Sequence, residues 1–310
     1  MNFTDLHEDI AYSSQKVDVV DGSEQSSIKL LSRFDSAFIL SSIFPFFTSF
    51  SLNENKSDKN SIKFEHRNIP DWNVMTEQIN FHILLERARK VTLVRRKEDL
   101  DETGIKLLLA MEGADVLRLP EDVFLIHSLG VRSFGLSWNY DNKFAASYLS
   151  EKDFGLTGSG RKLVSYCKDL GIAVDLSHAS LRTIEDVLST DHGPIFISHG
   201  NPDAVFKHAR NYSDDVIKAI AREGGIIGIT GIRSTLGFGQ NIDAFVKHIE
   251  HVGDVAGWEH VAIGSDLLGV DSPVEGLEDV SKFQGLVARL GIRADDVLWR
   301  NGLNFFRKIL

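Results

Sequence analysis

The chain has 310 residues, 43% of them hydrophobic, which is enough to bury one large core, and α/β barrels of this length commonly form a single domain. Its formal charge of −10 and the scatter of its 34 basic residues exclude an extended phosphate-binding face, so nucleic acid is not an expected partner. Cys167 is the only cysteine, which excludes an internal disulfide and fits a reducing, cytoplasmic compartment.

The first segment, MNFTDLHEDIAYSSQ, lacks a basic stretch followed by an apolar one, and Asp5, Glu8 and Asp9 oppose an export signal. Phe3 to Asp9 is the first β-rich apolar run, and Gln15 to Ser27 is a polar loop within an excursion near residues 10–30. Ser36 to Phe44 is the second run. The most apolar window, Ala37 to Phe47, is too short to span a bilayer and holds a proline, so it reads as a buried strand and no membrane association is expected. Ser51 to Asn68 is polar and aperiodic, and predicts an exposed excursion near residues 51–70 that could serve as a lid.

Trp72 to Arg89 then has helical period, followed by apolar runs at Ile105 to Glu112 and Val131 to Trp138. From there helices and runs alternate: Gly160 to Leu170, then Ile172 to His178; Ser180 to Leu188, then Pro194 to His199; Ser213 to Glu223, then Gly225 to Gly231. Ile242 to Val255 precedes the last run, His260 to Asp266, and a helix from Arg293 to Ile309 closes the chain. Such alternation argues for a parallel sheet covered by helices. It suits a (β/α)₈ TIM-type barrel and equally a doubly wound open sheet, and counting alone does not separate them.

The ionisable residues sit at the ends of the apolar runs. His7 and Asp9 close the first, Glu112 the third, His178 the fifth, His199 the sixth and Asp266 the eighth. In a barrel all these positions lie at the C-terminal mouth, where barrel enzymes carry their sites. His7 and Asp9, two apart on a strand, project to one side and can share a cation, although an isolated His-x-Asp also reads as a solvated turn or a cap. His178 and His199 each follow a buried run, an unfavourable place for an imidazole unless it is hydrogen-bonded or bound to metal. Taken singly each reads as a structural histidine; taken with a carboxylate they form an N,N,O site. Glu112 emerges from a buried strand as a bridging carboxylate, a cap or an ion-pair partner. Asp266 reads as a ligand, a general base or a cap. The Gly158 to Lys162 segment lacks the order of a phosphate loop and reads as a helix start, Cys167 as a core thiol, and the remaining histidines as surface or structural.

These residues resemble the renal dipeptidase (membrane dipeptidase) family. The resemblance rests on D-x-H-x-D at Asp5 to Asp9, EGAD at Glu112 to Asp115, GLT-x-x-GR-x-LV at Gly155 to Val164, and DLSH at Asp175 to His178. It continues through SHGN at Ser198 to Asn201, RN at Arg210 and Asn211, GG at Gly224 and Gly225, GSD at Gly264 to Asp266, and PVEGLEDVSKF at Pro273 to Phe283. It implies a (β/α)₈ barrel of the amidohydrolase type with a binuclear zinc site, His7, Asp9 and Glu112 holding one ion and Glu112, His178 and His199 the other. It further implies that Arg210 binds the substrate carboxylate and that Asp266 handles protons and engages the substrate amine. A metal-bridging hydroxide would then hydrolyse the amide bond of a small peptide substrate. Zinc rests on the resemblance, since the same ligands suit other divalent ions.

Two departures bear on substrate. The family's LTHN-like histidine is Trp138 here, within Leu136-Ser137-Trp138-Asn139, and an indole donates one hydrogen bond but carries no proton charge. The family's GSD-x-DG becomes Gly264-Ser265-Asp266-Leu267-Leu268-Gly269, without the second acid. These departures keep open a related amidohydrolase acting on N-acyl amino acids, D-amino-acid-containing peptides or lactams, and a non-catalytic metal-binding barrel stands as a further alternative. Homo-oligomerisation is left open.

Overall fold

The computed structural model describes residues 1–54 and 62–310. The strands, in chain order, are β1 (Asn2–Glu8), β2 (Ser36–Ile43), β3 (Phe46–Glu54), β4 (Ile62–Pro70), β5 (Thr92–Leu93), β6 (Gly104–Met111), β7 (Val131–Gly135), β8 (Ala173–Asp175), β9 (Ile195–Gly200), β10 (Ile227–Ile229) and β11 (Val261–Ile263). The helices are α1 (Ile10–Ser13), α2 (Ile28–Leu31), α3 (Trp72–Arg87), α4 (Asp122–Ser128), α5 (Gly158–Asp169), α6 (Leu181–Leu188), α7 (Asp214–Arg222), α8 (Arg233–Leu236), α9 (Ile242–Ala256), α10 (Val287–Leu290) and α11 (Asn301–Ile309). All eight apolar runs are parallel strands, in the order β1-β2-β6-β7-β8-β9-β10-β11. The ring closes between its last and first members, where the Asp266 N–H donates to the His7 carbonyl (3.1 Å) and the Asp9 N–H to the Leu267 carbonyl (3.0 Å). This closure, rather than the strand count, decides for the (β/α)₈ barrel over an open sheet.

Strand alternation divides the apolar residues between two cores. On β6, Leu107, Leu109 and Met111 pack with the helical layer, while Leu108 and Ala110 join Leu6, Phe38, Phe196 and Ala262 in a second cluster. α11 seals that cluster, its Phe306 ring centroid lying 5.8 Å from Phe38 and 5.5 Å from Phe196. The helices start where side-chain caps offer an acceptor: Asp71 caps α3, Thr157 caps α5, Ser180 caps α6, Ser213 caps α7 and Asn241 caps α9. The Gly158 to Lys162 segment accordingly begins a helix, and Cys167 is a core thiol that burial pushes up to about 12.

On the residues described, the excursion expected from Ser51 to Asn68 falls within a two-stranded sheet separate from the ring. β3 and β4 form an antiparallel ribbon, in register from Phe46 opposite Pro70 to Glu54 opposite Ile62. Backbone pairing needs no apolar alternation, which is why polarity pointed away from a strand. Residues 55–61, on which the lid expectation also fell, lie outside the described residues. No helix among the described residues is long and apolar enough to cross a membrane.

Candidate metal centre

At the carboxyl ends of the strands the expected ligands converge. Glu112, one residue beyond β6, puts Oε1 3.2 Å from His178 Nε2 and 3.7 Å from His199 Nε2, and Oε2 3.6 Å from His7 Nε2. His7 Nε2 lies 3.7 Å from Asp9 and 3.8 Å from Asp266. His7, Asp9, Glu112, His178 and His199 are all buried.

The hydrogen-bond network fixes which imidazole nitrogens carry lone pairs. The Ser198 hydroxyl donates to Asp175 Oδ2 (2.5 Å), so it must accept from His199 Nδ1–H (2.7 Å) and from the Ser177 hydroxyl (3.0 Å). Asp175 is itself fixed by the Ser177 and Ser198 N–H groups, both donating to Oδ1 at 2.9 Å. His178 Nδ1 donates to Asn139 Oδ1 (2.9 Å). Both Nε2 atoms are thereby left as acceptors, only 2.9 Å apart and beside a carboxylate. His7 Nε2 and Asp9 Oδ1 are buried without a hydrogen-bond partner among the described residues. Acceptors facing acceptors are unfavourable unless a cation lies between them, so the donor set fits divalent ions and could hold two around a shared Glu112.

The electrostatics agree. Burial lowers the His7 imidazole, but Glu112 and Asp9 outweigh it and hold it well above its ordinary value. Burial brings His178 down to about 3, with Arg210 adding to the effect, and takes His199 well below its usual range. Burial raises Glu112, yet His7 and His178 override it and leave the carboxyl well below the usual carboxylate range. Asp266 is pushed well above that range by burial and by the Asp9 and Glu112 charges, a condition that cations relieve.

His178 and Asp266 both have φ of 63°, a left-handed conformation that costs a residue with a side chain about 1–3 kcal/mol. The loop after Asp266, where the family's second acid is missing, is instead tied by Gln25: its Oε1 accepts from Leu268 N–H (2.7 Å) and its Nε2 donates to the Val270 carbonyl (2.6 Å). Gly269 passes so close to the carboxylates that a Cβ there would stand 2.2 Å from Asp9 Oδ2 and 2.5 Å from Asp266 Oδ1. Asp5 stitches the ends of β1 and β11, its Oδ1 accepting from Ser265 N–H (2.8 Å) and His7 N–H (3.1 Å).

Above these groups lies a cavity of about 300 Å³, lined among others by Asp9, Glu112, Trp138, His178, Arg210 and Asp266. Every residue expected at the site therefore reaches one place: His7 and His199 through their distances to Glu112, the others also at the cavity wall. Arg210 is buried, donating to the Tyr212 hydroxyl (3.0 Å) and the His199 carbonyl (3.1 Å), while its Nε has no partner among the described residues. Tyr148 and His208 also line the cavity, the former under the Arg210 guanidinium at 5.6 Å. Sequence reasoning assigned no role to Tyr148, Asp175 or Ser198 and left His208 with the surface or structural histidines. Asp175 carried a usable signal, an acid between Val174 and Leu176 in a buried run; Tyr148 and His208 sit in loops and carried none.

A family model described as membrane dipeptidase (peptidase family M19) matches residues 1–309. The chain is 35% identical over 238 residues to dipeptidase verJ of Clonostachys rogersoniana, covering 73% of this chain and 61% of that protein. It is 38% identical over 172 residues to an uncharacterized dipeptidase of Schizosaccharomyces pombe, covering 53% of this chain and 41% of that one. The chain thus spans less than two thirds of the length of these relatives. Among solved structures, a metallo peptidase from Rhodobacter sphaeroides, liganded with a phosphinate mimic of the dipeptide L-Ala-D-Ala, superposes with a TM-score of 0.82 at 22% identity, covering 100% of this chain and 99% of that one. A likeness of that identity speaks to fold.

Proposed function

The chain belongs to the membrane dipeptidase family, peptidase family M19, and from that premise we propose that it hydrolyses the amide bond of dipeptides using two divalent cations, zinc by resemblance, at the barrel mouth. The observation that carries this reading is the convergence of His178 Nε2 and His199 Nε2, both acceptors, and the two oxygens of Glu112 with His7 and Asp9, under a cavity bordered by Arg210. When bound, the cations would supply an acidified water and polarise the scissile carbonyl.

The protein side of the reaction follows from the same residues. Glu112 bridges the two ligand sets, and Asp175, through Ser198, keeps the lone pair of His199 on Nε2. Arg210 borders the cavity and keeps guanidinium N–H donors beyond those given to Tyr212 and the His199 carbonyl, and these would meet the substrate carboxylate. Asp266, at the cavity wall beside Asp9, is placed to hand a proton to the departing nitrogen. A cavity of about 300 Å³ is at the small end of ligand pockets and suits a dipeptide better than a long chain.

Metal analysis of the purified protein, combined with hydrolysis assays on L,L- and L,D-dipeptides, tests the reading. The expected result is two ions per chain and cleavage of dipeptides, with Glu112→Ala losing both ions; full retention of both ions in that variant removes the bridging role. Trp138, where the family has histidine, favours a second reading, an amidohydrolase acting on N-acyl amino acids or lactams, and cleavage of those compounds in preference to dipeptides would establish it. Bound metal without turnover on either panel would leave a binding barrel.

A further inference from the structure

Phe44 stands across the cavity from Arg210, and Trp138 and Tyr12 pack against Phe44. Tyr12, Phe44 and Trp138 follow β1, β2 and β7, whereas Arg210 follows β9. In the closed ring order β2 lies directly across from β9. A dipeptide with its carboxylate at Arg210 and its scissile amide above Glu112 must therefore extend its amino-terminal residue toward the β2 side.

That side is a prebuilt apolar surface. The Trp138 ring lies 4.9 Å from Phe44 and 5.5 Å from Phe46, while Phe44 and Phe46 are 4.7 Å apart. Tyr12 meets Phe44 edge-on at 5.1 Å, and Tyr140 meets Trp138 edge-on at 5.5 Å. Phe44 and Phe46 are buried and Trp138 is half-buried, so the indole is held from behind and offers its remaining surface to the cavity. The ammonium of Lys16 lies over the Tyr12 ring at 4.6 Å.

We propose that Trp138, Phe44 and Tyr12 form a specificity subsite for the amino-terminal side chain of the substrate, selecting dipeptides in which that side chain is aromatic or large and apolar. The proposal rests on the dipeptidase reading for its orientation, through Arg210. Ring-on-ring contact and buried apolar area supply the selectivity, and neither is available to an alanine side chain.

The test uses the metal-loaded protein with the L-dipeptides Phe-Ala, Ala-Phe and Ala-Ala, together with calorimetric binding of their inert analogues carrying a reduced amide. Phe-Ala is expected to exceed Ala-Ala and Ala-Phe in kcat/KM by about tenfold or more, and its analogue to bind more tightly by a similar factor. Trp138→Ala should collapse that ratio, and Trp138→Phe should retain most of it. Equal binding of the Phe-Ala and Ala-Ala analogues, a preference for Ala-Phe, or a ratio that survives Trp138→Ala overturns the subsite, whatever the hydrolysis assay returns. Preferential binding of the Phe-Ala analogue without cleavage of any dipeptide upholds the subsite and removes the dipeptidase reading instead.

Discussion

Asp175→Asn tests whether a residue that reaches no substrate controls the metal centre. In the native protein Asp175 Oδ1 accepts two backbone N–H groups at 2.9 Å and Oδ2 accepts the Ser198 hydroxyl. An asparagine must keep its carbonyl on the two backbone donors, because the opposite orientation leaves both buried N–H groups facing an amide, at about 1–3 kcal/mol each. Its NH₂ then donates to Ser198, whose hydroxyl turns to donate to His199 Nδ1. The imidazole proton moves to Nε2, the atom that stands 2.9 Å from His178 Nε2. An acceptor needed for the cation becomes a donor, and binding must break the new His–His hydrogen bond and reverse the tautomer. The expected loss is about 10–100-fold in affinity for the ion held by Glu112, His178 and His199, or roughly 1.4–2.7 kcal/mol. The ion held by His7, Asp9 and Glu112 should change much less. Calorimetric titration of metal-free protein with zinc, resolving two binding events, measures both. Two events of unchanged affinity in Asp175→Asn, in a variant that unfolds at the native temperature, would refute the tautomer argument.

Three further outcomes follow from the geometry. Asp266→Asn should keep both ions but lower turnover by about two to four orders of magnitude, and a steady-state assay showing native turnover would withdraw Asp266 as the proton carrier. Arg210→Ala should reduce kcat/KM for dipeptides by about 10–100-fold, the scale of a charged hydrogen bond, and for the corresponding amides far less; equal losses would make Arg210 a purely structural arginine. His82 is fully buried, its Nδ1 donating to the Gln78 carbonyl (2.7 Å) and its Nε2 accepting from Ser41 (2.7 Å), and burial brings it from 6.5 down to about 4. Because the unfolded chain takes up this proton from about pH 6.5 and the folded one only near pH 4, stability should fall by up to about 3 kcal/mol as pH drops through that window. Urea unfolding of His82→Gln should show a flatter pH dependence there, and an unchanged slope would refute the assignment.

The ring strands were legible because each is an apolar run too short for a helix and bounded by polar residues, the signature of strands buried on both faces. The β3–β4 ribbon was not, since Ser51 to Asn68 carries no apolar period. α4 also went unseen, a single short helix between β6 and β7. The ligands were legible for a reason of energy: His178, His199 and Glu112 end runs where an unpaired polar group is disfavoured, so each demanded a partner. Asp175 obeyed that logic, but its partners Ser177 and Ser198 are ordinary in any sequence, and the relay exists only once β8 and β9 lie side by side. Arg210 was legible through the resemblance, whereas Tyr148 and His208 reach the cavity by way of loops whose course no local pattern encodes.

The barrel is sealed by the same short stretches that carry His7, Asp9 and Asp266, through contacts such as Ser265 to Asp5, 260 positions apart along the chain. Contacts so distant in sequence come late in folding, because the chain between them must already be ordered before closure is rewarded. Half of the metal centre, His7, Asp9 and Asp266, therefore stands at the seam, facing Glu112, His178 and His199 from β6, β8 and β9. Cations held among these groups would join both sides of the seam, and so would act as a clasp whose strength grows with metal concentration.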